Sequence, residues 1–367
     1  MDDERSYWLG FSAFPGIGPL RFKLLLSYFG SAKKAWEAGE KELIKIGLGE
    51  KLVFQFNAFR RKISLSGYFK EVQDKNIKII TLIDKNYPLL LSKIPDAPYV
   101  IYVRGNLDWD LQNSIGIVGT RKITSYGREV TKKLTAELVN AGLTIVSGMA
   151  YGVDTVAHET AVEYGGRTIA VLGCGVDIIH PLSNRQLYWK IVERYGAVIS
   201  EFPPGMIASR GLFPARNRII SGLSLGVLVT EGASDSGALI TARYAAEQGR
   251  EVFAVPGPIT SHFSKGPMML LKQGAKLVTE IEDILDEIKI EGNDQRLKFK
   301  KTDKITDIKL SKEENLIIDI LNSENLHFDE IIRKSGIEAA NLGGILTVLE
   351  MKKIVKNIGG GIYGLER

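Results

Sequence analysis

Several glycine-rich segments of this chain carry residues that could bind an anion. In the first, GTRKITSYG, two cations follow a glycine, and a helix is expected to begin at Thr124 or Ser125. Glycine permits a tight turn, and the free N–H groups of a helix start attract phosphate. The pattern predicts a phosphate-binding loop, with a turn bearing solvated charges as the alternative. Its residues are Gly119, Thr120, Arg121 and Lys122.

A second segment, SGMAYGVDTVAH, places an acid and a histidine four residues apart. Asp154 and His158 could form a catalytic or metal-binding pair. Ser147 and Gly148 precede them and are candidate residues for binding an anionic ligand. No further His or Cys cluster completes a zinc site. We therefore expect Asp154 to brace its loop and His158 to pack inside the protein through hydrogen bonds.

Arginines cluster in the segment FPARNRIISGLS. Arg216 and Arg218 flank Asn217 near a helix start, and guanidinium groups in this arrangement suit a phosphate backbone. The alternative is an internal network of ion pairs with Glu201 and Glu231. The sequence leaves both interpretations open.

Other candidate anion-binding positions also follow apolar runs: Gly173 in LGCGVD, Asn184 and Arg185 after His180-Pro181, and Ser236 and Gly237 in SDSGALITA. Six cations in all follow such runs, and together they could supply most of a micromolar, salt-sensitive affinity for a polyanion. They are Arg121, Lys122, Arg185, Arg210, Arg216 and Arg218.

The elements that must position these residues alternate between strand and helix. Short apolar runs occupy residues 114–119, 143–147, 168–172, 197–200, 225–230 and 251–255, with helical patterns between them. This alternation predicts an α/β fold, an extended Rossmann-like core built on a parallel sheet. Ligands of such folds bind beyond the carboxyl ends of the strands, where the candidate residues are expected.

The flanks differ from this core. We expect a helical domain over residues 1–75, the core over 76–288, a charged linker over 289–309, and a winged-helix domain over 310–367. The last prediction rests on three helical patterns followed by a hairpin with a glycine tip, IVKNIGGGIYGL.

Composition narrows the function classes. The 367 residues carry 48 Lys and Arg against 43 Asp and Glu, a net charge of +5, which argues against a generally basic nucleic-acid tail but permits a local basic patch. A single cysteine excludes an internal disulfide framework. We expect no metal, no cofactor, no secretory signal, no membrane span and a cytoplasmic location.

Six segments in order resemble the DprA/Smf family of DNA-processing proteins: GTRKITSYG, SGMAYGVDTVAH, AVLGCGVD, ISEFPPG, FPARNRIISGLS and SGALITARYAAEQGREVFAVPG. The resemblance covers roughly residues 80–285. It implies a Rossmann-like core that binds single-stranded DNA without sequence preference. It also implies loading of RecA and displacement of single-strand-binding protein in natural transformation, with no enzymatic turnover. Family DNA binding carries over to Arg121, Arg185 and the Arg216–Arg218 segment.

The flanks fit the same family, which often has a SAM-like N-terminal domain and a C-terminal winged helix. Two positions depart from its pattern: His180-Pro181 replaces Tyr-Pro, and KGPMMLLKQGA replaces a Gly-x-Asn loop where the family dimerises. A homodimer is expected, and the interface candidates are Met268, Met269, Leu270 and Leu271.

An alternative function is nucleotide binding or nucleoside-monophosphate hydrolysis by a related Rossmann-like fold. Phosphoribohydrolases of that kind use a Gly-Gly-x-Gly-Thr-x-x-Glu loop. The corresponding segment here, EGASDSGALITA, lacks the second adjacent glycine and offers Thr241 rather than a glutamate. We therefore favour a binding protein over an enzyme.

Overall fold

The computed structural model describes residues 4–107, 109, 111–209, 211–288, 310–322, 324–352 and 354–365. They divide into two compact units, within Met1–Leu297 and Lys298–Arg367. The predicted linker, 289–309, and Arg210 lie outside the described residues. Within the described part of the chain, no helix is both long and apolar enough to cross a membrane.

Six short helices open the first unit and pack around an aromatic cluster. Phe11 stacks on Phe56 at 5.2 Å between ring centroids and meets Phe22 and Trp36 edge-on at 5.3 and 5.1 Å. These aromatic rings are buried and dominate the core of this region. The helices are α1 (Glu4–Ala13), α2 (Pro19–Phe29), α3 (Ala32–Glu37), α4 (Glu40–Lys45), α5 (Glu50–Arg60) and α6 (Leu65–Asp74).

A nine-stranded sheet follows in the same unit. Its spatial order is β1-β2-β6-β5-β4-β3-β7-β8-β9. The strands are β1 (Lys78–Thr81), β2 (Val100–Gly105), β3 (Ser114–Val118), β4 (Thr144–Ser147), β5 (Thr168–Val171), β6 (Gly196–Ser200), β7 (Gly226–Val229), β8 (Glu251–Ala254) and β9 (Lys276–Leu277).

The sheet is mostly parallel, as the Rossmann-like prediction requires, but it is mixed. Strands β3 to β9 pair in parallel, whereas β2 pairs antiparallel with both β1 and β6. The predicted parallel core sheet is confirmed, and β1 and β2 extend it at one edge through antiparallel pairing.

Helices cover both faces of the sheet. Ile115 and Ile117 of β3 pack in one core cluster, while Val118 of the same strand packs in another with Ile219 and Ile220. Strands buried on both faces read as continuous apolar runs, which is why the sequence revealed them. The helices are α7 (Leu89–Ser92), α8 (Ser125–Asn140), α9 (Val153–Glu163), α10 (Arg185–Lys190), α11 (Leu212–Gly222), α12 (Gly237–Glu247), α13 (Lys265–Lys272) and α14 (Glu282–Leu285).

The strand order reverses direction at β3. From β3 the chain builds β4, β5 and β6 on one side, and then returns to build β7, β8 and β9 on the other. The loops after β3 and β7 therefore diverge, and a crevice opens between them at the carboxyl edge of the sheet.

The second unit has winged-helix architecture. Ser311 and Glu314 form a capping box at the start of its first helix, and the hairpin turns at Gly360 and Gly361, both with positive φ. Its elements are α15 (Lys312–Leu321), β10 (Leu326–His327), α16 (Phe328–Ser335), α17 (Ala339–Met351), β11 (Val355–Gly359) and β12 (Ile362–Leu365), with strand order β10-β12-β11.

Candidate nucleic-acid interface

A cavity of about 610 Å³ lies at the point where the strand order reverses. The loop after β3 forms one wall, and the start of α12 forms the opposite wall. Residues from α11 lie between them, and His262 and Phe263 close one end. Such a crevice is the usual ligand position in an open α/β sheet. It gathers many of the candidate residues from distant parts of the chain.

Arg121 and Lys122 are exposed at the rim of this cavity. The guanidinium carbon of Arg121 lies 5.1 Å from the centre of the Phe213 ring, within the range of a cation–π contact. No ion pair engages either cation within the described residues. Both charges therefore remain available to an anion that approaches from solvent.

The N-terminus of α8 does not provide the anion site that the sequence suggested. Glu231, at the end of β7, accepts hydrogen bonds there from the backbone N–H of Thr124 at 2.9 Å and from its hydroxyl at 2.6 Å. A carboxylate at this position already satisfies the helix dipole. The expected phosphate loop is thus corrected: its exposed cations remain free, but its helix start is occupied by the protein's own acid.

Three positions around the cavity require glycine because neighbouring atoms leave no room for a Cβ. A Cβ on Gly119 would lie 2.7 Å from the carbonyl oxygen of Glu231, and one on Gly152 would overlap the carbonyl oxygen of Thr120. Gly152 also has a φ of 76°. A Cβ on Gly148 would overlap the guanidinium of Arg216. These glycines let the loops after β3 and β4 pack against each other and around that arginine.

Arg216 forms part of the cavity floor and is only 3% exposed. Its Nη1 donates to the carbonyl oxygens of Gly148 and Val171, at 2.6 and 2.5 Å. Ser147 is also buried, and its hydroxyl donates to the carbonyl of Ile117 at 2.6 Å. The expectation that Arg216 and Ser147 touch a DNA backbone lying on the surface is therefore corrected, because both side chains are internal.

Arg218 belongs to an internal ion-pair network. It is 5% exposed, and its guanidinium contacts the carboxylates of Glu201 at 2.5 Å and Asp96 at 3.1 Å. Burial raises the pKa of the Glu201 carboxyl, and the charge of Arg218 opposes that rise. The expected phosphate contact of Arg218 is corrected in favour of the alternative interpretation. Of the two acids that the alternative named, only Glu201 takes part.

The side chain of Asn217, also buried, donates to the carbonyl of Gly237 at 3.3 Å and so ties α11 to the start of α12. There Ser236 caps the helix by accepting from the N–H of Ala238 at 3.3 Å. Gly237 is exposed at the cavity wall, and Thr241 is buried behind it. The helix start therefore faces the cavity with its own cap in place.

Asp154 and His158 play the internal roles expected of them. Asp154 accepts from the N–H groups of Gly148 and Ala150, at 3.1 and 3.3 Å, and burial raises its pKa. The Nδ1 of His158 lies 2.7 Å from the hydroxyl of Thr168, and burial lowers its pKa to about 3. Among the described residues, no cluster of His, Cys, Asp and Glu is placed to hold a metal ion.

A smaller cavity of about 60 Å³ adjoins the rim, and Arg121 and Phe213 line both cavities. Gly173 and His180 line it too. The ring of His180 lies 6.0 Å from that of Phe213, so an aromatic ring is retained where the family has tyrosine. The cation–aromatic pair of Arg121 and Phe213 therefore lies between the two cavities.

Asn184 and Arg185 have different roles after this turn. Asn184 is buried and donates to the carbonyl of Met149 at 3.1 Å and to the hydroxyl of Thr155 at 2.8 Å. Its expected contact with DNA is corrected to a brace between two loops. Arg185 is exposed at the start of α10 and lines neither cavity.

The four interface candidates lie on α13, but their side chains differ in how far they are exposed. Leu270 is buried in the core, Met268 and Leu271 are half-buried, and Met269 is 40% exposed. Leu270 is therefore corrected to a core residue, and Met269 is the member of the run most available to a second chain.

Sequence reasoning missed Phe213 and Tyr151. Phe213 lies under Arg121 between the two cavities, and Tyr151 is 52% exposed on the loop that lines the smaller one. An aromatic directly before an arginine-rich helix start, and another inside a glycine loop, were the available signals. Tyr151 offers an exposed ring face on which a base could stack, and half-buried Phe213 presents its ring to Arg121.

Comparisons with known proteins agree with this geometry. A family model described as DNA recombination-mediator protein A matches residues 78–289, and one described as the DprA winged helix domain matches residues 306–361. Protein Smf of Synechocystis sp. is 42% identical over 77% of this chain and 72% of its own length. DNA processing protein DprA of Bacillus subtilis is 43% identical over 59% of this chain and 73% of its own length.

Two solved structures also match. DNA processing protein A from Streptococcus pneumoniae aligns with a TM-score of 0.69 and 35% identity, over 79% of this chain and 99% of the other. DNA processing protein A from Helicobacter pylori, studied for its single-stranded DNA binding mode, aligns with a TM-score of 0.51 and 29% identity, over 57% of this chain and 94% of the other. The chain belongs to the DprA/Smf family of DNA-processing proteins.

Proposed function

We propose that this chain binds single-stranded DNA without sequence preference across the carboxyl edge of its mixed sheet. The observation that carries the proposal is the free guanidinium of Arg121, held over Phe213 at the rim of the switch-point cavity. The Helicobacter pylori relative, studied for its single-stranded DNA binding mode, supports the same class of ligand.

Exposed cations, Arg121 and Lys122 at the rim and Arg185 at the start of α10, would contact the phosphates of the strand. Arg121, Lys122 and Arg185 are exposed, whereas Arg216 and Arg218 are internal. Each neutralised phosphate of a single strand contributes about 0.7 to the slope of log affinity against log salt, so three contacts give about 2. Tyr151 would add sequence-tolerant stacking.

Such a protein would act by holding a strand and transferring it to another protein. We extend the proposal to natural transformation, with a RecA-type recombinase as recipient and single-strand-binding protein as the competitor that is displaced. The exposed face of α12 is a candidate recombinase contact, beside the same cavity. A homodimer formed through Met269 on α13 would present two grooves to one strand and raise their effective concentration.

We propose binding without turnover. The acids that line the larger cavity are Asp154, whose carboxylate is engaged by backbone amides, and the exposed Asp235. Thr241 stands where the phosphoribohydrolase sequence pattern has its glutamate, and it lines the cavity. Incubation with AMP should release no adenine, and release at a rate proportional to protein would overturn this part of the proposal.

The test of DNA binding is charge reversal at the rim. Fluorescence anisotropy with labelled oligo-dT should show that Arg121→Glu loses at least about tenfold in affinity, because one phosphate contact is replaced by repulsion. The matched control is Lys70→Glu, which makes the same change in charge at an exposed position of α6.

The control should bind oligo-dT like the unmodified protein. Circular dichroism of both variants should match the unmodified chain, because both side chains are exposed. Equal affinities of the two variants would place the DNA site elsewhere on the molecule.

A further inference from the structure

The floor of the switch-point cavity holds a buried cation, Arg216, that has no directly paired acid and an unused hydrogen-bond donor. The Nε of Arg216 has no hydrogen-bond partner in the described part of the chain, and no carboxylate there forms an ion pair with it. The nearby acid, Asp154, attracts the guanidinium from beyond ion-pair distance, and one oxygen of its carboxylate accepts from two backbone amides. A buried charge is costly unless an opposite charge compensates it, so this position favours an anionic ligand.

Other positive groups converge on the same space. Arg121 lies at the rim, and α12, eleven residues long, begins at Gly237 on the opposite wall. The start of a helix carries partial positive charge from its N–H groups. The remaining titratable groups that line the cavity are Lys122, Asp154, Asp235 and His262. Asp235 and His262 are exposed and so lie nearer the mouth than the floor.

The depth of Arg216 discriminates between kinds of phosphate. An internal phosphate is tied to sugars on both sides, so a strand lying across the cavity brings it to exposed Arg121 at the rim. Arg216, at 3% exposure, is reached only by a group that projects inward. A terminal phosphate has one ester bond and can project. The volume of about 610 Å³ is within the range of cavities that hold small ligands.

We propose that this cavity binds a terminal phosphomonoester, at the end of a DNA strand or on a free mononucleotide, with Arg216 and the start of α12 as its receptors. A phosphomonoester carries up to two negative charges near neutral pH, whereas an internal diester carries one. The inference rests on the proposed function, because it makes the strand end the preferred substrate of the same site.

The test uses the unmodified full-length protein and competition against labelled oligo-dT. The competitors are unlabelled dT strands of about 20 nucleotides, longer than typical single-strand sites, which end in two hydroxyls, a 5′-phosphate, a 3′-phosphate or a 5′-methyl phosphate. One phosphorylated end should compete about tenfold better than hydroxyl ends, the equivalent of one charge-assisted contact. The methyl ester should lose that advantage. The end that gains identifies the polarity of the strand.

A second arm separates the cavity from the groove. Free dTMP should displace labelled strand at concentrations where thymidine does not, and isothermal titration with dTMP alone should show binding. Equal competition by all four strands would overturn the end preference while leaving single-strand binding intact. If no strand binds, the proposed function fails, and dTMP titration still decides whether the cavity takes a phosphomonoester.

Variants add a residue-level test. Arg216→Gln should bring the ratio between phosphorylated and hydroxyl ends to about one, because the floor loses its charge. Lys70→Glu, distant in sequence and outside both cavities, should keep the ratio of the unmodified protein. An unchanged ratio in a folded Arg216→Gln variant would contradict the assignment. If that variant does not fold, the four-strand comparison with the unmodified protein remains decisive.

Discussion

The internal position of Arg218 makes a prediction that separates a structural arginine from a DNA contact. In Arg218→Met the Glu201 carboxylate, with a side chain 11% exposed, loses its partner at 2.5 Å. Removing one partner of a buried ion pair typically costs about 3–5 kcal/mol. Asp96, at 36% exposure, loses a contact that is worth about 0–1 kcal/mol. We expect the free energy of unfolding to fall by about 4 kcal/mol at pH 8.

The loss should depend on pH with a defined sign. Burial raises the pKa of Glu201 in the folded protein, and Arg218 opposes that rise, so the pKa in the variant is higher still. A folded state that binds the proton more tightly than the unfolded state gains stability at low pH and loses it as pH rises through the folded pKa. The loss should therefore be smaller at pH 5 than at pH 8, and should approach about 1–3 kcal/mol, the penalty of a neutral unpaired group, as the acid becomes protonated.

Urea unfolding followed by tryptophan fluorescence measures this loss of stability in the first unit, Met1–Leu297. All four tryptophans, at positions 8, 36, 109 and 189, lie in that unit. Adding Glu201→Gln should recover part of the loss at pH 8. The salt slope of oligo-dT binding should stay that of the unmodified protein. Equal destabilisation at both pH values without rescue, or a slope reduced by about 0.7, the share of one single-strand phosphate contact, would refute the internal role.

Three further predictions concern groups around the cavity. Glu231→Ala should lower the free energy of unfolding by about 1–3 kcal/mol in urea titrations, because Thr124 loses both hydrogen bonds; no change would contradict the capping role. The free energy of unfolding of the unmodified protein should fall by about 2 kcal/mol between pH 6.5 and pH 5, because the lowered pKa of His158 stabilises the folded state fully only above that range. His158→Gln should remove this part of the pH dependence. Gly152→Ala should cost more than about 1 kcal/mol in thermal unfolding, because its φ is positive and its Cβ would overlap Thr120; a silent variant would mean that the loop is not packed this way.

The core strands could be predicted from sequence because burial on both faces makes a strand a continuous apolar run. Residues 114–119 were expected and Ser114–Val118 was found, and 251–255 became Glu251–Ala254. The pairing of β1 and β2 could not be read in this way. Neither strand's sequence states its partner, and the antiparallel joint with β6 depends on contacts between distant segments.

The candidate site, like the fold, is only partly predictable from the sequence. Loops that follow strands were placed correctly at one edge, because parallel strands end together. The sequence leaves the burial of Arg216 and Arg218 open, since an arginine in a helix suits both a phosphate and a carboxylate. The helix around them offered a signal: Ile219, Ile220 and small residues surround the arginines, which is typical of a helix covered on all sides.

The role of Glu231 shows why counting charges in the sequence does not locate the anion site. It lies far from Thr124 in sequence, and only the parallel pairing of β3 and β7 brings the two together. No local pattern announces that an acid at the end of one strand will cap the helix after another.

The same acid bears on which cellular metabolites this fold can exclude. Dinucleotide-binding relatives of the Rossmann architecture place a pyrophosphate at the first helix start after a strand, and abundant coenzymes compete for any such position. Here a carboxylate repels a pyrophosphate at α8 and satisfies the hydroxyl and N–H that would hold it. The remaining positive groups lie at the rim and at the start of α12, which leaves them to a strand and its terminal phosphate. A carboxylate at this helix start thus disfavours a pyrophosphate bound there.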